Sequence, residues 1–197
     1  MGRKSWGDYY ASAGGVDYFM DHLAIHKDFL KEILRRKPQK VLEAGCGSAI
    51  MSVFLSMTGI SITACDRDDD VLKKAAQTAQ AWKTRIQFLK EDILKMSFRE
   101  DAFDLVFSQG VLEHMDDAQI RQTSRESLRV GKSFIFSVPA ADYKHRDYGD
   151  ERLLSARKWE KILFGTGKLQ MVPYYAIRTK RNFLLKRPLM FMGILSR

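Results

Sequence analysis

The sequence predicts one α/β domain whose core is a mainly parallel, seven-stranded sheet with helices on both faces. Three observations point there. Short apolar runs alternate with segments of helical periodicity between residues 18 and 164, the signature of βαβ units. The first apolar run ends in a two-glycine turn that opens a helix, the arrangement found at the ligand crevice of open parallel sheets. No internal repeat or Pro/Gly/Ser-rich linker divides the 197 residues, a length suited to one well-buried core.

In order, Tyr18 to Arg36 carries Phe19, Leu23, Phe29, Ile33 and Leu34 among charged residues, an amphipathic helix closed by Pro38. Lys40–Ala44 is the first strand, and Ala49–Met57 a helix with Gly59 at its C-terminal turn. Ser61–Cys65 is the second strand, Val71–Trp82 an alanine-rich helix and Ile86–Leu89 the third strand. Phe103–Ser108, the helix Ala118–Leu128 and the strand Ser133–Pro139 continue the alternation. Ala140–Leu153 reads as a polar and aromatic loop, and Ser155 as the N-cap of a helix carrying Trp159, Ile162, Leu163 and Phe164. Lys168–Tyr175 and Ile177–Leu185 are expected to close the sheet as two strands joined by a tight turn.

With 45% hydrophobic and 29% charged residues, the chain has a globular rather than disordered balance. No run approaches eighteen apolar residues and Met1 to Tyr10 lacks a signal-peptide pattern, so a cytoplasmic protein is expected. Cys46 and Cys65, the only cysteines, are expected to be free and buried, with no zinc-type ligand spacing and no metal. The net charge of +9 is uneven: residues 1–120 hold 16 Lys/Arg against 18 Asp/Glu, and residues 121–197 hold 17 against 6. A basic C-terminal half either attracts an anionic partner or is a solvated surface.

The chemistry concentrates at Val41-Leu42-Glu43-Ala44-Gly45-Cys46-Gly47-Ser48-Ala49. Glycine allows the turn and lets a ligand approach the backbone. A dinucleotide fingerprint needs a third glycine where Ile50 stands. Glu43 would crowd a pyrophosphate but can accept a bond from an ammonium, which favours an amino-acid-bearing nucleoside. Asp66, at the end of the second strand with Arg67 beside it, can accept from both ribose hydroxyls. The acidic run Asp68–Asp70 reads more simply as a helix cap. Asp92 is placed to bond the adenine amino group or to form a turn, with Ile93 against the base and Glu91 at the surface.

Residues 40 to 139 resemble the class I S-adenosylmethionine-dependent methyltransferases, in particular their broad small-molecule group. The resemblance rests on Glu43-Ala44-Gly45-Cys46-Gly47, Ala64-Cys65-Asp66, Glu91-Asp92-Ile93, and Phe103 to Ser108 running into Gln109-Gly110-Val111-Leu112-Glu113-His114. It implies the Rossmann-like fold of that family, with S-adenosylmethionine as cofactor and S-adenosylhomocysteine as product. It further implies that Glu43 contacts the methionine ammonium, that Ala44, Gly45, Cys46 and Gly47 line the amino-acid half, and that Ser108, Gln109 and Gly110 flank the methionine. Ala49 departs from the small turn residue usual there. On this reading residues 1–37 form a helical lid, 38–139 the cofactor-binding core, and 140–197 the acceptor-side loop with the closing elements.

Methyl transfer needs alignment more than a metal, and a base where the acceptor carries a proton. His114, beyond the fourth strand, and His145, in the loop, are the candidate bases; each also reads as a structural or exposed residue. His22 and His26, four apart, share a helix face and read as surface or packing. Trp6, Tyr9 and Tyr10 either cover the nucleoside or anchor a terminal arm. A small organic molecule methylated on O, N or C is the expected acceptor. The alternatives are RNA, met by Arg178, Lys180, Arg181, Lys186 and Arg187 with Phe183 for stacking, and a non-catalytic cofactor-binding module. Phe183-Leu184-Leu185 and Leu189-Met190-Phe191-Met192 would serve a peripheral membrane or protein contact, or else dock as a closing strand.

Overall fold

A computed structural model describes residues 5–10, 13–143, 148–174 and 189–197. Five parallel strands form its centre: β1 (Lys40–Ala44), β2 (Ser61–Asp66), β3 (Ile86–Lys90), β4 (Leu105–Gln109) and β5 (Ser133–Pro139). Two antiparallel strands, β6 (Lys168–Tyr174) and β7 (Met190–Ser196), complete the order β3-β2-β1-β4-β5-β7-β6. The chain reverses direction across the sheet between β1 and β4. The carboxyl ends of those strands therefore flank the crevice where such sheets bind ligands.

The helices are α1 (Trp6–Tyr10), α2 (Gly15–Arg35), α3 (Ile50–Met57), α4 (Asp69–Ala81), α5 (Asp117–Val130) and α6 (Ala156–Leu163). Successive strand residues face opposite layers. Val41, Leu105, Phe107 and Ile135 pack with Phe29, Leu30 and Ile33 of α2 and with α3. Leu42, Val106, Phe134 and Phe136 pack with Ile120 and Leu128 of α5 and with Trp159 and Ile162 of α6. Helix starts follow local chemistry. The Asp68 side chain accepts from Asp70 N and Val71 N, Asp116 and Gln119 form a capping box, and Ser155 accepts from Lys158 N.

The expected strand Ile177–Leu185 lies outside the described residues. Among the described residues, Met190–Ser196 is the strand inserted between β5 and β6, in line with the docked, closing-strand alternative for the C-terminal apolar run. Gly193 makes that insertion possible: it pairs with Phe136, and a Cβ there would lie 2.0 Å from Phe136 Cζ. Gly193→Ala is therefore expected to cost about 1–3 kcal/mol through overpacking. The check is a lower urea midpoint at unchanged slope; an unchanged midpoint would refute this packing.

Candidate active site

The turn after β1 is held to the next strand by Gly45 N and Cys46 N, which both donate to Cys65 O at 2.9 Å. Gly45 has φ +76°, and a Cβ on it would lie 2.8 Å from a Val111 methyl. Gly47 has φ +51°, and its Cβ would lie 2.5 Å from the Tyr10 hydroxyl. Both positions thus need glycine for the backbone and for close approach. Ala49, the departure noted in the sequence, also sits in the left-handed region at φ +57°, a strain of about 1–2 kcal/mol for a residue with a Cβ.

Two cavities open on this turn. The first, about 190 Å³, is lined by Gly45, Gly47, Asp66, Arg67, Asp92 and Ile93 among others. The Asp66 carboxylate accepts from Asp68 N at 3.2 Å and Gly47 N at 3.4 Å, and burial pushes its pKa up. Asp92 both lines the cavity and accepts from Leu94 N at 2.9 Å, so it shapes the turn as well. Glu91, expected at the surface, lines the cavity as well, its carboxylate accepting from Ser97 N at 3.0 Å.

The second cavity, about 410 Å³, lies between the glycine turn and α2. Glu43, Cys46, Gln109 and Gly110 contribute from the strand ends, and Tyr18, His22 and His26 from one stripe of the helix. Glu43 is 3% exposed, and its carboxyl accepts from Ser52 Oγ at 2.5 Å. Burial raises its pKa to about 8, only partly opposed by the Ser52 bonds. The Tyr18 hydroxyl lies 3.3 Å from Ser48 Oγ, fastening α2 to the turn. The two cavities share Trp6, Tyr10, Gly110 and His114, so they meet beside the turn.

The sequence-expected residues are largely brought together here, with exceptions. Ala44 and Ser108 lie inside their strands, 0% and 1% exposed, and line neither cavity. His114 stands at the junction, its Nδ1 2.5 Å from Asp150 Oδ1 and its ring edge-on to Trp6 at 5.0 Å. His145 and the basic cluster from Arg178 to Arg187, with Phe183 to Leu185, lie outside the described residues. Met190 and Met192 are buried within β7 rather than presented as a docking surface.

Sequence reasoning underweighted His22 and His26, which line the second cavity, and passed over Asp150 and Tyr148. Tyr148 stacks on Trp6 at 3.8 Å and 9°. The i, i+4 spacing placed the two histidines on one face, but not which face. Cys46 and Cys65 are free and buried as expected. Among the described residues, no group of three metal-binding side chains is assembled and no helix is long and apolar enough to cross a membrane.

Residues 41–133 match the family model described as a methyltransferase domain. That stretch is similar to methyltransferase domains, and the strand order β3-β2-β1-β4-β5-β7-β6 is the Rossmann-like class I methyltransferase fold. The chain is 28% identical over 131 residues to the ubiquinone biosynthesis O-methyltransferase of Hydrogenovibrio crunogenus, covering 61% of this chain and 54% of that one. It is 33% identical over 114 residues to the malonyl-[acyl-carrier protein] O-methyltransferase of Erwinia billingiae, covering 56% and 43%. The chain thus spans about half the length of the curated relatives it matches. The methyltransferase fold extends through nearly all of it. The PH0226 protein of Pyrococcus horikoshii OT3 superposes with TM-score 0.71 at 16% identity over 95% of this chain and 97% of that one. The magnesium protoporphyrin IX methyltransferase of Synechocystis PCC 6803, solved with bound SAM, does so with TM-score 0.68 at 16% identity over 97% and 89%.

Proposed function

We infer that this domain transfers the methyl group of S-adenosylmethionine to an oxygen of a small organic acceptor. The observation that carries the reading is the meeting of two chemically distinct cavities at one glycine turn. Asp66, Asp92 and Ile93 offer the first a carboxylate for a ribose diol, a carboxylate for an exocyclic amino group and an apolar face, the features an adenosine needs. Glu43 offers the second a buried carboxyl whose partner among the described residues is Ser52, with the raised pKa of a group awaiting a cation. An ammonium brought beside it would restore its charge. These groups fit the cofactor, and the relatives named as O-methyltransferases support oxygen as the receiving atom.

When bound, the cofactor supplies a methyl on a sulfonium, an already strong leaving group. The residues of the chain supply position. Glu43 would hold the amino-acid half beside the glycine turn, and Asp66 would hold the ribose, with Arg67 at the cavity's edge. Gln109 and Gly110 border the junction. Trp6 and Tyr10 of α1 cover it and exclude water, which favours methyl transfer to the acceptor over hydrolysis. His114, tied through Nδ1 to Asp150, shapes the same junction.

The test is incubation with labelled S-adenosylmethionine and a mixture of small metabolites, RNA and protein, read by mass. Methylated small molecules with a new O-methyl group support the reading. Label confined to RNA or protein overturns the acceptor class, and cofactor uptake without any methyl release would make this a binding module.

A further inference from the structure

We propose that His22 is the proton acceptor of the transfer step, its Nε2 taking the hydroxyl proton of a phenol-type acceptor held in the second cavity. The inference rests on the methyl-transfer reading above and adds the base and the acceptor chemistry.

His22 Nδ1 lies 2.9 Å from the Tyr18 carbonyl oxygen, one helical turn earlier. A carbonyl oxygen can only accept, so Nδ1 carries the hydrogen and Nε2 carries the lone pair. The ring is kept in place by Tyr18, whose own ring is 4.0 Å away and whose hydroxyl lies 3.3 Å from Ser48 Oγ. His22 lines the same cavity as Glu43 and Gly110, where the methionine half is expected. Burial lowers its pKa and keeps the imidazole neutral and ready to accept. Its neighbour His26, with Nδ1 2.8 Å from the Tyr174 hydroxyl, is neutral as well, its pKa lowered to about 3 chiefly by burial. A proton arriving on His22 therefore meets no charge on His26, while Asp21 on the same helix favours it.

The acceptor class follows from what such a base is for. A free amine attacks through a lone pair it already has, a carboxylic acid is already ionised near neutral pH, and a thiol, with a pKa of about 8.5, ionises more readily than a phenol. A phenol is mostly protonated near neutral pH, with a pKa of about 10, and becomes strongly acidic only as its oxygen bonds to carbon. A weak neutral base suits that change, because the proton's acidity passes the base's during the transition state. The balance is complete. The acceptor oxygen bonds to the methyl carbon as that carbon's bond to sulfur breaks, sulfur keeps the electron pair, and the hydroxyl proton passes to His22 Nε2. The aromatic lining from Tyr18, Tyr143 and Tyr148 matches a planar ring.

The experiment compares wild type, His22→Asn and His22→Ala on a panel of phenols, from alkylphenols to nitrophenols already ionised at the assay pH. Asparagine can keep the bond to the Tyr18 carbonyl while removing the base. With cofactor affinity unchanged, kcat on the un-ionised phenols should fall about 10²-fold or more, with little loss on the ionised ones, and added imidazole should restore His22→Ala. In wild type alone, a solvent isotope effect should accompany the un-ionised phenols and vanish with the ionised ones, a readout that needs no variant. Equal losses across the panel, or kcat within threefold of wild type, would overturn the role of His22. Turnover of amines or thiols but of no phenol would overturn the acceptor class. Failure of the wild type to take up the cofactor would instead refute the proposed function.

Discussion

Glu43→Gln is expected to weaken S-adenosylmethionine binding about 10²- to 10³-fold, the usual cost of leaving one member of a buried ion pair without its partner. The same variant should be more stable than wild type without ligand. Glu43 is buried, and its pKa is raised to about 8 from an ordinary carboxyl value of 4.5. The folded chain therefore binds more protons than the unfolded one between those values, and stability falls as pH rises through that window. Glutamine has no such dependence. The stability gain of Glu43→Gln should be absent near pH 4, grow with pH and level off above about pH 8. Thermal melts across pH, paired with cofactor titrations, check both halves. A variant that kept its affinity, or lost stability at every pH, would show that Glu43 is a structural group only.

Asp66→Ala is expected to reduce cofactor affinity about 10²-fold, since hydrogen bonds to a charged acceptor are worth about 1.5–3 kcal/mol each. Asp66 also accepts from Gly47 N and Asp68 N, so part of any loss would come from a loosened turn. A ligand pair separates the two contributions. Wild type should prefer S-adenosylhomocysteine over its ribose-deoxygenated analogue, and Asp66→Ala should bind both alike. If the variant keeps the preference, the ribose lies elsewhere.

The parts of the fold legible in the sequence are those decided locally. Ser133–Pro139 is a strand to the residue because it is a mainly apolar run, with β-branched and aromatic residues, buried on both faces. The glycine turn was readable because Gly45 and Gly47 meet a backbone requirement that few residues satisfy. Ser155 caps α6 by its own hydroxyl. What escaped depends on distant partners. Met190–Ser196 shows no alternation and contains a glycine, and only the Phe136 ring explains both. Helix α1 is five residues long, too short for periodicity to register. Asp150 reaches His114 from 36 residues away, and no local pattern announces that. The lining of the first cavity was legible because Gly45, Gly47, Asp66 and Asp92 ride on or beside strand ends. The α2 lining of the second cavity was not, because α2 reveals its inner face only when packed.

The most direct test of the account is calorimetry of S-adenosylhomocysteine binding near pH 7 in two buffers of different ionisation heat. One ligand per chain is expected to bind with release of roughly one proton, because a carboxyl with a pKa of about 8 must give up its proton to meet an ammonium. The release should vanish well above pH 8 and in Glu43→Gln. No uptake, or binding heats identical in the two buffers, would contradict it.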